Sequence, residues 1–292
     1  MPQAPLPSFG ITTAPMQVRY QDILRVWREA DAIPEIGHAW LFDHLMPIAG
    51  DPNGPIFEGW TLLSALAAQT ERLRLGLLVT SNRFRPPAML AKIATTVDIV
   101  SGGRLDFGIG AGSRPSHPLA RREYEAHGLP YHDFRYSVED LAEACTVIRR
   151  LWTETEPFDF HGAHIDLTGA FGNPKPIQRP HPPILIGGTG ERHTLRLVAQ
   201  YGDACNLFDI PDGGRTVRHK LDVLAQHCER AGRPFADVEK TISTRLDPAA
   251  GPGAFADQCS RLAALGIGHA VVITNGPWTP AKIAVLTDAT RV

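Results

Sequence analysis

Residues 72–112 carry the stretch that decides the fold, RLRLGLLVTSNRFRPPAMLAKIATTVDIVSGGRLDFGIGAG. Segment 72–80 is short and rich in Leu and Val, which is typical of a strand covered on both faces in a parallel sheet. Prolines and basic residues in 81–87 indicate a stiff loop, and apolar residues at helical spacing then predict a helix over 88–100. Two glycines end that helix, and 104–110 predicts the next strand. The order of these elements indicates parallel strands joined by a helix.

The second of these strands ends in small residues, GIGAG at 108–112. Glycine leaves no side chain above a sheet, so a ring system or an anion can approach the backbone closely. A glycine-rich turn without a ligand explains a Gly-x-Gly pattern equally well. We predict room for a flat ligand here, to be tested against the chemistry of the neighbouring strand ends.

The same alternation of strand and helix occurs eight times along the chain and predicts a (β/α)8 TIM barrel. A doubly wound open sheet would give a similar string of elements. A chain of 292 residues with 43% apolar content suits one barrel, so we expect a single domain over 1–292. An excursion, 154–181, separates the fourth helix from the fifth strand, and 158–167 within it predicts a short hairpin. The predicted strands are 9–13, 38–44, 73–80, 105–110, 183–188, 204–209, 240–246 and 269–275, and the predicted helices are 20–32, 57–69, 87–100, 137–152, 192–201, 216–231, 254–265 and one from 280.

The charge balance argues against two classes of partner. With 29 basic and 31 acidic residues the formal net charge is −2, which gives no basic field for nucleic acid or for a membrane of acidic lipid. The four cysteines are widely spaced without a Cys-x-x-Cys pair, and no apolar N-terminal segment is present, so we expect a reducing, cytoplasmic location. His161 and His164 have no third ligand nearby, so no metal site is predicted. A small-molecule substrate is the partner class that remains.

Functional residues of such a barrel lie at the carboxyl ends of its strands. The second predicted strand ends in Asp43 and His44, and a histidine beside a carboxylate can give or take a proton near neutral pH. Adjacent residues on a regular strand face opposite sides, so a direct contact between the two side chains requires a local bend. A histidine that only terminates the strand fits the spacing equally well. The fifth predicted strand ends in IGGTGE at 186–191, where backbone amides behind glycines and before a helix predict an anion site for phosphate.

Together these stretches resemble the bacterial luciferase-like flavin and deazaflavin oxidoreductases, and the resemblance covers almost the whole chain. The matching segments are FDH at 42–44, LVTSNRFRPPAMLAKIATTVDIVSGGRLDFGIGAG at 78–112 and NPKPIQRPHPPILIGGTGERHTLRLVAQYGDACN at 173–206. The two long segments match in order and in spacing. The resemblance implies a luciferase-like TIM barrel and an oxidoreductase whose cofactor is F-420 or FMN.

The resemblance also implies which residues hold the cofactor. Relatives often carry a non-prolyl cis peptide after the third strand that props the cofactor ring, and small residues after the fourth strand that flank the same ring. Their fifth-strand loop binds the cofactor phosphate, and an arginine shortly after the fourth strand can assist it. The implied ring contacts are Val79, Thr80, Ser81, Gly110, Ala111 and Gly112, and the implied phosphate contacts are Gly187, Gly188, Thr189, Gly190 and Arg114.

The resemblance gives His44 a chemical role. In relatives that use the deazaflavin coenzyme F-420, an Asp-His pair at this strand end serves proton exchange with the substrate during hydride transfer, and Asp43 and His44 match that pair, with Asp43 tuning the histidine. Flavin-dependent relatives also place a histidine here, but the GIGAG and ILIGGTGER segments favour the deazaflavin branch. We therefore predict hydride transfer between F-420 and a small organic substrate. The alternatives are an FMN-dependent monooxygenase and a non-catalytic cofactor-binding subunit.

The substrate side is less constrained by the sequence. Phe9 on the first strand, Trp60 near a helix start and His117 in the loop after GIGAG are the candidates for lining it. That loop differs from most relatives, which have an aromatic or acidic residue and a glutamate-rich segment there. No lysine cluster suits a sugar phosphate, so such a substrate is not predicted. The resemblance further implies a homodimer that associates through helices two and three.

Overall fold

The computed structural model describes residues 6–113, 116–130 and 133–291. Within them, eight parallel strands close into a barrel that helices surround. None of the helices in these ranges is both long and apolar enough to span a bilayer. The strands are β1 (Ser8–Thr12), β2 (Ile36–Leu41), β3 (Arg74–Leu77), β4 (Thr80–Ser81), β5 (Leu105–Gly110), β6 (Phe158–His161), β7 (Asp166–Ala170), β8 (Ile184–Gly187), β9 (Ala204–Phe208), β10 (Glu239–Arg245) and β11 (His269–Ile273). The helices are α1 (Tyr20–Asp31), α2 (Gly59–Ala67), α3 (Pro87–Val100), α4 (Pro118–Ala126), α5 (Phe134–Thr153), α6 (Thr194–Tyr201), α7 (Arg215–Arg230), α8 (Gly251–Ala264) and α9 (Pro280–Ala289).

The strand order shows how the barrel closes. Around the circle the strands follow as β1, β2, β3, β5, β8, β9, β10 and β11, and β11 pairs with β1. Neighbouring strands in this circle are parallel. The pairing of β3 with β5 distinguishes this closed barrel from a doubly wound open sheet. The predicted TIM barrel is therefore confirmed.

The third barrel strand is interrupted, whereas the sequence predicts a continuous strand over 73–80. β3 stops short, and after two irregular residues β4 pairs with the end of β5 through Thr80 and Ser81. The Leu78–Val79 peptide in this break is cis, one bond before the segment 79–81 in which the resemblance implied it. The break directs the Val79 side chain toward the glycines that end β5 and β8.

The connection from β5 to β8 contains two helices and a hairpin. α4 lies where the sequence analysis expected a loop. It was not predicted because four of its nine residues are charged and only Ala120, Glu123 and Tyr124 in it are buried. β6 and β7 form the antiparallel hairpin expected in the excursion, and β7 extends it to Ala170. The unexpected helix matters for function because it carries side chains that reach the mouth of the barrel.

A buried polar cluster fills the amino-terminal end of the barrel. The rings of His38 and His269 lie 4.1 Å apart between centroids. His269 contacts Ser8 Oγ at 2.8 Å through Nδ1 and accepts from Trp40 Nε1 at 3.4 Å. Gly10 provides the space for this ring, because a Cβ there would lie 2.9 Å from it. Burial lowers the pKa of His38 and lowers the pKa of His269 well below its ordinary value.

Candidate active site

A cavity of about 1050 Å³ opens at the carboxyl ends of the barrel strands. The barrel brings the ends of β2, β4, β5 and β8 to this one cavity, as the strand-end rule predicted. Ten of the site residues predicted from the sequence line this cavity: Asp43, His44, Val79, Thr80, Ser81, Gly110, Ala111, Gly112, Gly187 and Gly188.

His44 lies at the cavity wall shortly beyond β2, with its imidazole partly exposed. Its Nδ1 is 3.0 Å from Oε2 of Glu123, a buried residue of α4. The same carboxylate accepts hydrogen bonds from the backbone amides of Leu45 and Met46. Because an ionised carboxylate can only accept, Nδ1 carries the hydrogen in this contact. Nε2 is then the ring nitrogen left to exchange a proton with a ligand in the cavity.

Asp43 is not the partner of His44, which corrects the predicted pairing. Its buried carboxylate receives hydrogen bonds from Arg85, at 2.6 Å from Nη1 and 3.0 Å from Nη2, and another from the Thr80 hydroxyl. Adjacent residues of an extended chain point to opposite sides, and no local bend brings the two side chains together. Asp43 thus contributes to the wall, but its side chain has no exposed surface and is held by Arg85 and Thr80, so it supports the structure and does not contact His44.

The Arg85 guanidinium joins three elements behind that wall. It contacts Asp43 after β2, Glu58 at the amino end of α2 and Thr80 on β4. Burial alone would lower the pKa of Arg85, but the hydrogen bonds and charges of Asp43 and Glu58 outweigh burial and raise it. The sequence showed Arg85 only as a basic loop residue, since its two acidic partners, Asp43 and Glu58, are distant in the chain.

The glycines that end β5 and β8 make room for a protein side chain. A Cβ on Gly110 would lie 3.0 Å from Val79 Cγ2, and a Cβ on Gly187 would lie 2.9 Å from both γ-carbons of Val79. Gly108 admits the backbone of β3, because a Cβ there would lie 2.0 Å from the Leu77 oxygen. The space that we expected to be open is therefore filled by Val79. The Val79 side chain, packed against these glycines, forms this part of the cavity wall.

Ser81 and Tyr124 form a polar contact at the same wall, with 3.0 Å between their hydroxyl oxygens. Gly112 adopts a φ of +82°, and a Cβ there would lie 2.5 Å from the Tyr124 oxygen and 2.8 Å from the Ser81 oxygen. Only glycine suits both the conformation and the contact. The sequence analysis missed Glu123 and Tyr124 because it did not predict α4. The available signal for a functional role was that a carboxylate and a phenol stand next to each other at 123–124.

The segment 187–190 connects β8 to α6. Gly187 and Gly188 line the cavity, whereas Thr189 and Gly190 lie beyond its edge. Across the described ranges, no acceptor is bonded to the amides of Thr189 and Gly190, and Thr194 at the start of α6 packs on Gly188 and Gly190. Free amides just before a helix suit an anion. Arg114, which the resemblance implied as an assisting residue, lies outside the described residues.

The three candidates for the substrate side do not line the cavity. Phe9 on β1 faces the outer helices, where its ring packs 6.0 Å from that of Phe255, because strand alternation turns it away from the barrel interior. Trp60 lies behind the wall and donates from Nε1 to Thr80 Oγ1 at 3.2 Å. His117 is an exposed residue that precedes α4. These positions correct the predicted substrate contacts.

The residues present fit a flat ring that carries a phosphate. Pockets of about 300–1,000 Å³ hold drug-sized ligands, and this cavity of about 1050 Å³ has room for a tricyclic ring and a small substrate together. Val79 and the adjoining Gly110 and Ala111 offer a surface with few projecting atoms, and 187–190 offers amides to a phosphate. F-420 and FMN share both features, so either fits.

Comparisons with known proteins agree with this architecture. The luciferase-like monooxygenase family model matches residues 8–265. The chain is 28% identical over 260 residues to a 4-hydroxyprotoasukamycin monooxygenase of Streptomyces nodosus subsp. asukaensis, covering 82% of this chain and 64% of that protein. It is 27% identical over 217 residues to an F-420-dependent glucose-6-phosphate dehydrogenase of Amycolatopsis mediterranei strain U-32, covering 71% of this chain and 59% of that protein. A solved F-420-dependent secondary alcohol dehydrogenase in complex with an F-420–acetone adduct gives a TM-score of 0.83 at 19% identity, over 97% of this chain and 98% of that one.

These relatives show the family and leave the coenzyme open. The matched regions span less than two thirds of the two curated relatives, at 64% and 59% of their lengths. One relative is named a monooxygenase and the other an F-420-dependent dehydrogenase, while the structural likeness at 19% identity concerns the fold. Because the family model covers most of the chain and the barrel carries its cavity at the strand ends, the chain belongs to the luciferase-like monooxygenase family of oxidoreductases and monooxygenases.

Proposed function

We propose that this protein transfers a hydride between the deazaflavin coenzyme F-420 and a small organic substrate. The observation that carries the proposal is the His44–Glu123 pair, in which a buried carboxylate holds Nδ1 at 3.0 Å and the imidazole borders the cavity. A two-electron oxidation removes a proton as well as a hydride, and a positioned histidine is suited to the proton. The pair lies on the same cavity as Val79, against which the cofactor ring would rest.

Different residues of the chain would bind the coenzyme and exchange the proton. Val79, backed by Gly110 and Gly187, would bear against the ring, and the free amides of Thr189 and Gly190 would hold the phosphate. F-420 supplies two-electron hydride transfer, whereas reduced FMN with oxygen supplies oxygen insertion. With an alcohol as substrate and oxidised F-420 as the hydride acceptor, Nε2 of His44 would take the O–H proton while the carbon gives up its hydride and the C=O bond forms. In the reverse direction His44 returns the proton to that oxygen.

The experiment that tests the coenzyme is equilibrium titration of the purified protein with oxidised and reduced F-420 and, in parallel, with FMN. Micromolar binding of F-420 without binding of FMN supports the proposal. Tight binding of FMN alone favours the second candidate, an FMN-dependent monooxygenase, which the 28% identity to a monooxygenase over 82% of the chain also favours. Binding of neither coenzyme contradicts both functions.

The cysteines support a reducing, cytoplasmic location for this chemistry. Cys145, Cys205, Cys228 and Cys259 are free thiols, and all four are buried. Burial raises the pKa of Cys145, Cys205 and Cys259 to about 12. Such thiols are chemically inert and form no crosslink that an oxidising compartment would favour.

A further inference from the structure

The cavity has a second wall, which the proposed chemistry does not yet use. β10 lies four positions from β3 around the eight-stranded barrel, so its inward face looks across the cavity toward Val79. Thr241, Ser243 and Arg245 alternate along that face. Thr241 and Ser243 are buried and bonded to Asn206 on β9, at 2.9 Å in each case, which gives this wall a fixed polar base.

Arg245 stands at the rim of this wall. Its Nη1 donates to Asn275 Oδ1 at 3.1 Å, and it forms no ion pair within the part of the chain that the structure describes. Among the described residues that line the cavity, one further arginine, Arg25, is paired with Glu29 at 2.8 Å. Asn275 therefore orients the Arg245 guanidinium and leaves its remaining N–H groups to a ligand.

Phe208 gives the same wall an apolar surface. It follows Asn206 on the inward face of β9, pairs in register with Ser243 and remains 57% exposed although it lines the cavity. A large exposed aromatic side chain on the same wall as a guanidinium whose described partner is a neutral amide is suited to a molecule with an apolar body and one anionic group. A single planar guanidinium can bind the two oxygens of a carboxylate in one bidentate contact.

We propose that Arg245 binds the carboxylate of the substrate while Phe208 packs on its apolar body, so that the substrate is an apolar or aromatic carboxylic acid. This inference rests on the proposed function, because it assigns Val79 and the segment 187–190 to the cofactor and the β9–β10 wall to the substrate. Asn275 acts as a positioning residue for the guanidinium.

The test uses the protein saturated with whichever coenzyme it binds and compares two isosteric probes, benzoate and neutral benzamide, by calorimetry. Benzoate is expected to bind the native chain more tightly than benzamide. Arg245→Gln is expected to weaken the binding of benzoate by about tenfold to a hundredfold, which is the contribution of a charge-assisted bidentate contact. The affinity for benzamide should not change. The benzoate affinity of Arg245→Lys should lie between those of the native chain and Arg245→Gln, because lysine keeps the charge and loses the planar guanidinium. Arg25→Gln is the matched control on the same cavity and should leave benzoate binding unchanged.

Four results would overturn the proposal. Benzoate that does not bind the native chain, or that binds Arg245→Gln equally well, shows that no carboxylate is held there. A loss of coenzyme affinity in Arg245→Gln with benzoate unaffected assigns the guanidinium to the anionic tail of the coenzyme. An equal loss of affinity for benzoate and benzamide shows that the substitution changed the shape of the site and did not remove a contact to the carboxylate charge. The proposed function fails by a different readout, absence of F-420 binding to the native chain, so the two failures are distinguishable.

Discussion

Asp43 and His44 are neighbours in the chain with separate tasks. The Asp43 carboxylate is buried behind the cavity wall and compensated by Arg85, so it contributes to structure. Removing one partner of such a buried pair leaves an uncompensated charge and is costly, about 3–5 kcal/mol in measured cases. His44 takes its orientation from Glu123, which is distant in sequence. The residue that positions the histidine could therefore not be read from its immediate neighbours.

We predict that His44→Ala lowers turnover about 100-fold or more while coenzyme affinity changes little, because the imidazole handles a proton and does not hold the ring. Turnover is measured by the absorbance of F-420 with the best substrate of a small-molecule screen. Glu123→Gln keeps an oxygen acceptor for Nδ1 and should lose less activity than Glu123→Ala. Unchanged turnover in His44→Ala would remove the histidine from the mechanism, whereas a native chain that binds coenzyme but turns over no substrate would favour a non-catalytic cofactor-binding subunit.

At the scale of elements, the interrupted strand β3–β4 and the ends of β5 and β8 form one unit. The break places Val79 where glycines on two neighbouring strands leave space for it. The strand ends were predictable, because a parallel barrel collects its functional residues there. That a valine fills the glycine space was not predictable, since it depends on how two distant strands approach each other.

We predict that Gly187→Ala weakens coenzyme binding by about tenfold or more, because overpacking at well-filled sites costs about 1–3 kcal/mol. The new Cβ would lie 2.9 Å from both γ-carbons of Val79 and would push that side chain into the cavity. Fluorescence titration with the coenzyme measures the effect. The double variant Gly187→Ala/Val79→Ala should recover part of the affinity. Gly37→Ala, whose Cβ would meet only the Phe9 oxygen at 3.8 Å, should bind as the native chain does. Normal affinity in Gly187→Ala would show that Val79 does not support the ring.

At the scale of the whole molecule, the closed barrel followed from the repeated pattern of strands and helices. Its period, the apolar strands and the glycine helix ends are local features that can be read residue by residue. α4 was missed because its pattern is mostly polar, and Glu123 and Tyr124 went unassigned with it. Arg85 was visible as a basic residue, but its role depends on Asp43 and Glu58, which only the folded chain brings to it.

We predict that the free energy of unfolding falls as the pH is lowered from 7.5 to 5.5. Burial lowers the pKa of His38 and His269, although the charge of Asp106 opposes this at His38. Below about pH 6.5 the unfolded chain binds protons that the buried neutral rings do not, which costs up to about 1.4 kcal/mol per pH unit for each histidine. The stability that the neutral rings contribute is therefore present above that pH and is lost as the pH falls.

Urea unfolding at several pH values measures how steeply the free energy of unfolding changes with pH. His269→Gln keeps hydrogen-bonding groups for Ser8 and Trp40 and should flatten it, whereas His193→Gln, at an exposed position, should leave it unchanged. A slope that is the same in His269→Gln and in the native chain would contradict the assignment.

We also predict that the protein is a homodimer, as the resemblance implies for helices two and three. α3 exposes Met89, Ile99 and Val100, with 57%, 37% and 46% of their surfaces accessible, and such apolar side chains gain by association. Light scattering should give twice the chain mass of 31.8 kDa. Met89→Glu should shift the population to monomer, while Leu119→Glu, an exposed apolar position on α4, should not. A native chain that scatters as a monomer at micromolar concentration would refute the dimer.

The network around Arg85 also bears on how such an enzyme can change during evolution. Asp43, Glu58, Thr80 and Arg85 depend on one another, so a random substitution at any of these positions is selected against unless a second one compensates for it. Phe208 on β9 and Arg245 on β10 lie on the other side of the barrel, and neither side chain is bonded to that network. A lineage, or a directed-evolution library, can therefore exchange residues on the β9–β10 wall and acquire a new substrate while the machinery for the coenzyme stays intact.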